Sequence, residues 1–99
     1  FNDVVQNLAE RHMARLLGRA RTANRLAKTL GGRSQDKAYA VKHEALVVLR
    51  VRFPERVSVR DDPANPLFTL VKVETPTRTY GLHVPEVYLI DRGLYPYAA

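Results

Sequence analysis

Three sets of side chains in this sequence have the chemistry for a function. The first is acidic: Asp61 and Asp62 precede an apolar run that contains Lys72 and Glu74. Carboxylates at the start of a strand, with a further carboxylate and a lysine nearby, hold Mg²⁺ and polarise an attacking water. Asp61-Asp62-Pro63 is equally the composition of a plain turn. The second set is His12, His43 and His83, which share no metal-ligand spacing. His12 falls on the apolar side of a helical pattern, the place of a core-edge residue. The third set is cationic and the densest. Arg11, Arg15, Arg19, Arg21, Arg25 and Lys28 are followed by Arg33, Lys37 and Lys42. Arginine offers phosphate a two-pronged donor, and each phosphate neutralised releases counterions.

Other chemistries are excluded or unsupported. The chain has no cysteine, which rules out disulfides, thiolate zinc sites and cysteine nucleophiles. Ser34 and Ser58 have no recognisable activating context. Gly31-Gly32 lacks the pattern of a phosphate loop. The sequence therefore assigns no catalytic residue, no metal ligand and no cofactor.

The cations sit on a helix. Residues from about Asp3 to Leu30 are rich in Leu, Ala, Arg and Lys, strong helix formers. Asp3 followed by Gln6 resembles a capping box, and Gly31-Gly32 supplies a stop. Gly18 and Thr22 are the places where this helix would break. At 100° per residue, Val5, Leu8, Ala9, Leu16, Ala20, Ala23, Leu26, Ala27 and Leu30 fall on one arc. Arg11, Arg15, Arg19, Arg21, Arg25 and Lys28 fall on the opposite one. A second helix is expected from Ser34 or Gln35, with Ser34 as N-cap and Asp36 in the first turn, to about Phe53 before Pro54. Val47 to Phe53 also alternates like a strand, but Ala38, Val41, Ala45 and Val48 keep helical spacing.

Residues 54–99 hold all six prolines. Strands are expected at 56–60, 67–74 and 78–84, the last two a hairpin around Thr75-Pro76-Thr77. Pro85 opens a short helix or an edge strand through Ile90, and an irregular tail follows from Gly93. Tyr80, Tyr88, Tyr95 and Tyr97 cluster here near Phe68. Such rings stack on unpaired bases when they lie bare on a sheet, and otherwise rim a core or an interface. The expected class is α+β: two N-terminal helices, the first long and amphipathic, then a three-stranded antiparallel meander and a short C-terminal element. With 99 residues, one small domain is expected, helical over 1–53 and β over 54–99.

Three partial resemblances bear on function. Arg25 to Gln35 resembles the first helix and turn of a bacterial helix-turn-helix, with Ala27 where the helices cross and Gly31 in the turn. The turn carries one residue more than the tight motif, and the likeness covers about 20 residues; a plain helical hairpin explains the same letters. The resemblance implies Gln35, Lys37, Tyr39 and Lys42 as groups reaching bases or phosphates, with the β-hairpin as a wing. The helix-then-strands order is similar to restriction-endonuclease-like cores, but Lys72-Val73-Glu74 reverses that family's carboxylate-x-lysine order. Length, charge and composition are also similar to small basic toxins that cleave messenger RNA on the ribosome, without their opening strand.

Charge decides among these expectations. The formal net charge is +6. Residues 1–43 carry nine Lys/Arg and three Asp/Glu, whereas residues 44–99 carry seven of each. An acidic partner for the first part follows. The expected function is a small, basic, non-enzymatic nucleic-acid-binding module of bacterial or phage type, DNA before RNA. Its contacts would be Arg11, Arg15, Arg19, Arg21, Arg25, Lys28, Arg33, Gln35, Lys37 and Lys42. One alternative is a homo-oligomeric assembly or adaptor protein that uses the long helix as interface, since so small a domain cannot cover such a helix. The other is a metal-dependent nuclease. No apolar run reaches the roughly 18–20 residues of a membrane span, and the N-terminus lacks a signal peptide's order. No integral membrane association and a cytoplasmic location are expected.

Overall fold

The computed structural model describes residues 2–94. The elements run α1 (Asn2–Thr29), α2 (Gly32–Arg52), β1 (Val57–Asp61), β2 (Phe68–Glu74), β3 (Thr79–Pro85) and α3 (Glu86–Asp91). This is the α+β class read from the sequence. The chain divides after Phe53 into two compact units. Tyr95, Tyr97 and most of the expected tail lie outside the described residues.

In the first unit, α1 runs unbroken through Gly18 and Thr22. Asp3 lies in its first turn and Lys28 in its last, so both charges complement the helix dipole. Only Leu30 and Gly31 separate it from α2. The second helix opens earlier than expected. Gly32 at φ 56° turns the chain, a conformation glycine adopts at little cost. The N-cap is Gly31, without a side-chain bond, and the first turn holds no acid. Ser34 is thus not the cap, and Asp36 lies beyond the first turn. The helix-or-strand ambiguity of 47–53 resolves as helix: α2 continues to Arg52, and the Phe53 amide donates to the Leu49 carbonyl at 2.8 Å. Pro54 follows, where a helical amide would be missing.

The helices form an antiparallel hairpin. Near the turn, Gln35 Nε2 donates to the Ala27 carbonyl at 2.8 Å, satisfying one of the carbonyls that the end of α1 leaves unpaired. Midway, Arg19 of α1 and Val41 of α2 line the same hollow. At the far end, Arg52 Nη1 lies 3.3 Å from His12 Nε2, and the His12 ring lies 5.9 Å from that of Phe53. Contacts from turn to far end define a plain hairpin. The helices of a helix-turn-helix cross steeply and meet only near their turn, so the hairpin reading of Arg25–Gln35 is the one that forms.

The buried stripe of α1 also departs from the expected arc. Met13, Leu17, Ala20, Ala23 and Ala27 are buried, while Val5, Leu8, Leu26 and Leu30 are exposed. The reason is width. The apolar arc of α1 is broader than one neighbouring helix covers, and α2 sits toward its Met13–Leu17 side. On α2, Ala38, Lys42, Ala45 and Leu49 form the matching stripe at three- and four-residue steps.

The second unit is a three-stranded antiparallel meander in the order β1-β2-β3. Val59 pairs with Val71, and Val71 with Leu82. Strand periodicity then turns Val57, Val59, Thr69, Val71, Val73, Leu82 and Val84 to one face, and all seven are buried. The opposite face carries Ser58, Arg60 and His83, all exposed. The hairpin turn is closed by Thr75 Oγ1, which donates to the Arg78 carbonyl at 2.6 Å and accepts from the Arg78 amide. Of the two expectations after Pro85, the helix is the one that forms.

Candidate nucleic-acid interface

Eight of the nine cationic candidates are displayed. Arg11, Arg15, Arg19, Arg21, Arg25, Lys28, Arg33 and Lys37 are all exposed. At 100° per residue the six of α1 share one broad arc of about 180°, in which Arg25 lies about 40° from Arg11. Arg11, Arg15 and Arg19 follow each other at four-residue steps, one row along α1. Arg21, Arg25 and Lys28 lie well over 100° around the helix from Arg19, at 100° per residue. Arg33 and Lys37 continue the positive surface onto the start of α2. The basic arc lies opposite the buried Ala20 and Ala27, and overlaps the expected apolar arc only at its exposed Leu8 and Leu26 edge. Arg15 and Arg19 stand on the same side of α1 as the exposed Leu26, and all three line one hollow.

Two candidates are placed otherwise. Gln35 spends its amide on the Ala27 carbonyl, within the hairpin. Lys42 is 5 % exposed, so its ammonium is not presented to a phosphate backbone; this corrects its place among the surface contacts. Its Nζ lies 5.4 Å from the centroid of the Tyr39 ring, a cation–π distance. Burial, and secondarily the nearby Lys28, lowers its pKa to about 8. Tyr39 in turn stacks on His43 at 6.1 Å. Burial first, and the Lys42 charge second, lowers the His43 pKa to about 4, so this imidazole is neutral at physiological pH. Lys42 was legible as buried: it lies four residues after Ala38 and three before Ala45, on the α2 stripe that faces inward.

The other chemical sets are not assembled. His12 meets Arg52 and Phe53, His43 stacks on Tyr39, and His83 Nδ1 lies 2.7 Å from Asp62 Oδ2. Asp62 is buried, and its Oδ1 accepts from the Ala64 amide at 2.9 Å. It thus shapes the turn between β1 and β2. Glu74 is at the opposite end of β2 from Thr69, which pairs with Asp61. Five residues of strand, about 16 Å, separate them. Among the described residues, no group of three or more His, Asp or Glu could hold a metal ion. Tyr80 and Tyr88 are each covered by a guanidinium, Arg78 and Arg92, at 4.9 Å, so neither is a bare stacking platform.

Sequence reasoning missed an apolar groove between α1 and α2. Two adjoining hollows of about 300 and 440 Å³ share Arg19 and Val41. Leu16, Ala45 and Val48 line one, and Gly18, Ala23 and Leu26 line the other. The small residues at Gly18, Ala23, Ala38 and Ala45 were the available signal. Among the described residues, no helix is long and apolar enough to cross a membrane. Compared with known proteins, the chain matches no protein family, no curated protein and no solved structure.

Proposed function

We propose that the helical unit binds nucleic acid through the exposed cations of α1 and the start of α2, without catalysing a reaction. The observation that carries this reading is the division of charge between the units. Residues 1–53 hold eleven Lys/Arg against four Asp/Glu, a net +7, and residues 54–99 hold five against six, a net −1. From Arg11 to Lys28, α1 extends about 26 Å. Duplex DNA offers a phosphate charge every ~1.7 Å of axis, or about 15 over that length. Duplex DNA is therefore the first ligand to test.

If about six of the eight exposed cations meet phosphate, the logarithm of affinity falls against the logarithm of salt with a slope near −5. Fluorescence anisotropy of a labelled duplex, titrated at several NaCl concentrations, reads this slope. Reversing Arg15, Arg19 and Arg25 together to Glu abolishes binding while the helical circular dichroism is retained. A flat salt dependence, or affinity that survives the triple change, sinks the reading. The same titration with single-stranded RNA decides between nucleic acids.

A second reading is favoured by a separate observation. Val4, Val5 and Leu8, at the start of α1, are 61 %, 54 % and 59 % exposed. Three exposed apolar side chains within two turns of α1 suit self-association. Mass measured across a range of protein concentrations tests it.

A further inference from the structure

The positive face of α1 has a shape as well as a charge. At 100° per residue, Gly18 lies near the middle of the basic arc. Arg11, Arg15 and Arg19 stand about 20°, 60° and 100° to one side of it, and Arg25, Arg21 and Lys28 about 20°, 60° and 80° to the other. Between these flanks the side chains are small. Ala14, Gly18 and Thr22, all exposed, follow one another at four-residue steps. No Asp or Glu occurs from Arg11 to Gln35.

The hairpin itself does not require glycine at position 18. The positive-φ glycines are Gly32 and Gly93, and a Cβ built at Gly18 would meet nothing within 4 Å. Glycine inside a helix lowers stability relative to alanine. What it provides here is a backbone that a partner can approach closely from outside, between two rows of cations.

A flat partner meets an arc this wide only in part. A plane laid against Gly18 would be met by Arg11 and Arg25, while Arg19 and Lys28 would extend along it or away from it. A concave partner with a negative wall on each side meets both rows. The major groove of B-form DNA has that form. It is about 12 Å wide and about 8.5 Å deep and admits an α-helix, which with its side chains is about 10–12 Å across, and a phosphate strand borders each side. The minor groove, about 6 Å wide, is too narrow. The major groove of A-form RNA is deep and narrow, closed to side chains.

We infer that α1 lies in the major groove of B-form duplex DNA, with Gly18 toward the floor, Arg15 and Arg19 on the phosphates of one strand, and Arg21 and Lys28 on those of the other. This rests on the nucleic-acid reading and deepens it by naming the duplex form and the groove. The back of the inserted helix, Ala20 and Ala27, is the side already buried. The groove winds around the duplex while α1 is straight, so the turns from Ala14 to Thr22, about 12 Å of helix, sit deepest.

The test compares charge-matched ligands by fluorescence anisotropy with the unchanged full chain. One is a plain DNA duplex. The second is the same duplex with bulky substituents on cytosine C5, which fill the major groove and leave the phosphates as they were. The third is the RNA duplex of the same sequence. Affinity should fall roughly tenfold or more for the substituted duplex and for the RNA duplex. Two variants then probe the walls, with circular dichroism confirming that their helices remain. Arg15→Gln/Arg19→Gln and Arg21→Gln/Lys28→Gln should each make the salt slope shallower by about 2, because each removes two phosphate contacts. Equal affinity for the plain and the substituted DNA overturns this inference alone, since the chain then binds duplex DNA outside the major groove. So does equal affinity for the RNA duplex, or a salt slope that only one of the two pairs changes. A chain that binds none of the three duplexes overturns the nucleic-acid reading and this inference with it.

Discussion

Lys42 is the residue whose environment opposes its chemistry most. Its ammonium is buried beside the Tyr39 ring, with Lys28 adding repulsion. A base whose folded pKa lies below its unfolded one binds fewer protons when folded, so stability rises with pH between the two values. For Lys42 that window runs from about 8 to about 10.5. Below it, the buried charge lowers stability by at most about 3 kcal/mol. Lys42→Met should therefore raise stability at pH 7, by roughly 1–3 kcal/mol, and the gain should vanish toward pH 10.5. Urea denaturation at pH 7, 9 and 10.5 measures it; a gain independent of pH would mean that packing, not charge, is responsible. His43 acts in the same direction lower down, with stability lost as pH falls from about 6.5 to about 4. In the candidate interface, the identity of the cations was legible because charge is a property of composition. The burial of Lys42 was not recognised because a lysine counts as surface until its neighbours on the helix face are considered.

At the scale of elements, the hairpin turn depends on one side-chain bond. Gln35 joins the first turn of α2 to the last carbonyls of α1, with only Leu30 and Gly31 between the helices. Gln35→Ala leaves a partly buried carbonyl of Ala27 unpaired and should cost about 1 kcal/mol. A chemical-denaturation midpoint reads the change, and a neutral result would show that solvent replaces the amide. Gln35→Glu makes the sharper comparison, since a carboxylate cannot donate to a carbonyl. The three strands, expected at 56–60, 67–74 and 78–84 and found at 57–61, 68–74 and 79–85, were legible from alternation because each keeps one face buried. Helix α2 was harder. It is apolar around much of its circumference, and periodicity weakens when a helix is buried on more than one side. Its first turn was misread because Ser34 has the better capping side chain, whereas Gly31-Gly32 has the backbone freedom that the short connection requires.

For the whole molecule, charge is distributed by unit, +7 in residues 1–53 and −1 in residues 54–99. So much like charge on a two-helix hairpin repels itself, and screening relieves that repulsion. Raising NaCl from about 10 mM to about 300 mM, across which the Debye length shrinks several-fold, should raise the thermal midpoint. Each 1 kcal/mol gained corresponds to roughly 4–8 °C. A midpoint that falls with salt would show that attractive pairs outweigh the repulsion. The sequence by itself determined the class of elements, their order and the place of the charge, because these follow from local periodicity, turn residues and composition. Only the tertiary structure decided which part of α1's wide apolar arc is covered, that the helices run antiparallel along their length, and that a groove and a bare helix start are left over. A helical wheel gives the direction of each side chain but not the position of the neighbour, and burial belongs to the neighbour as much as to the residue.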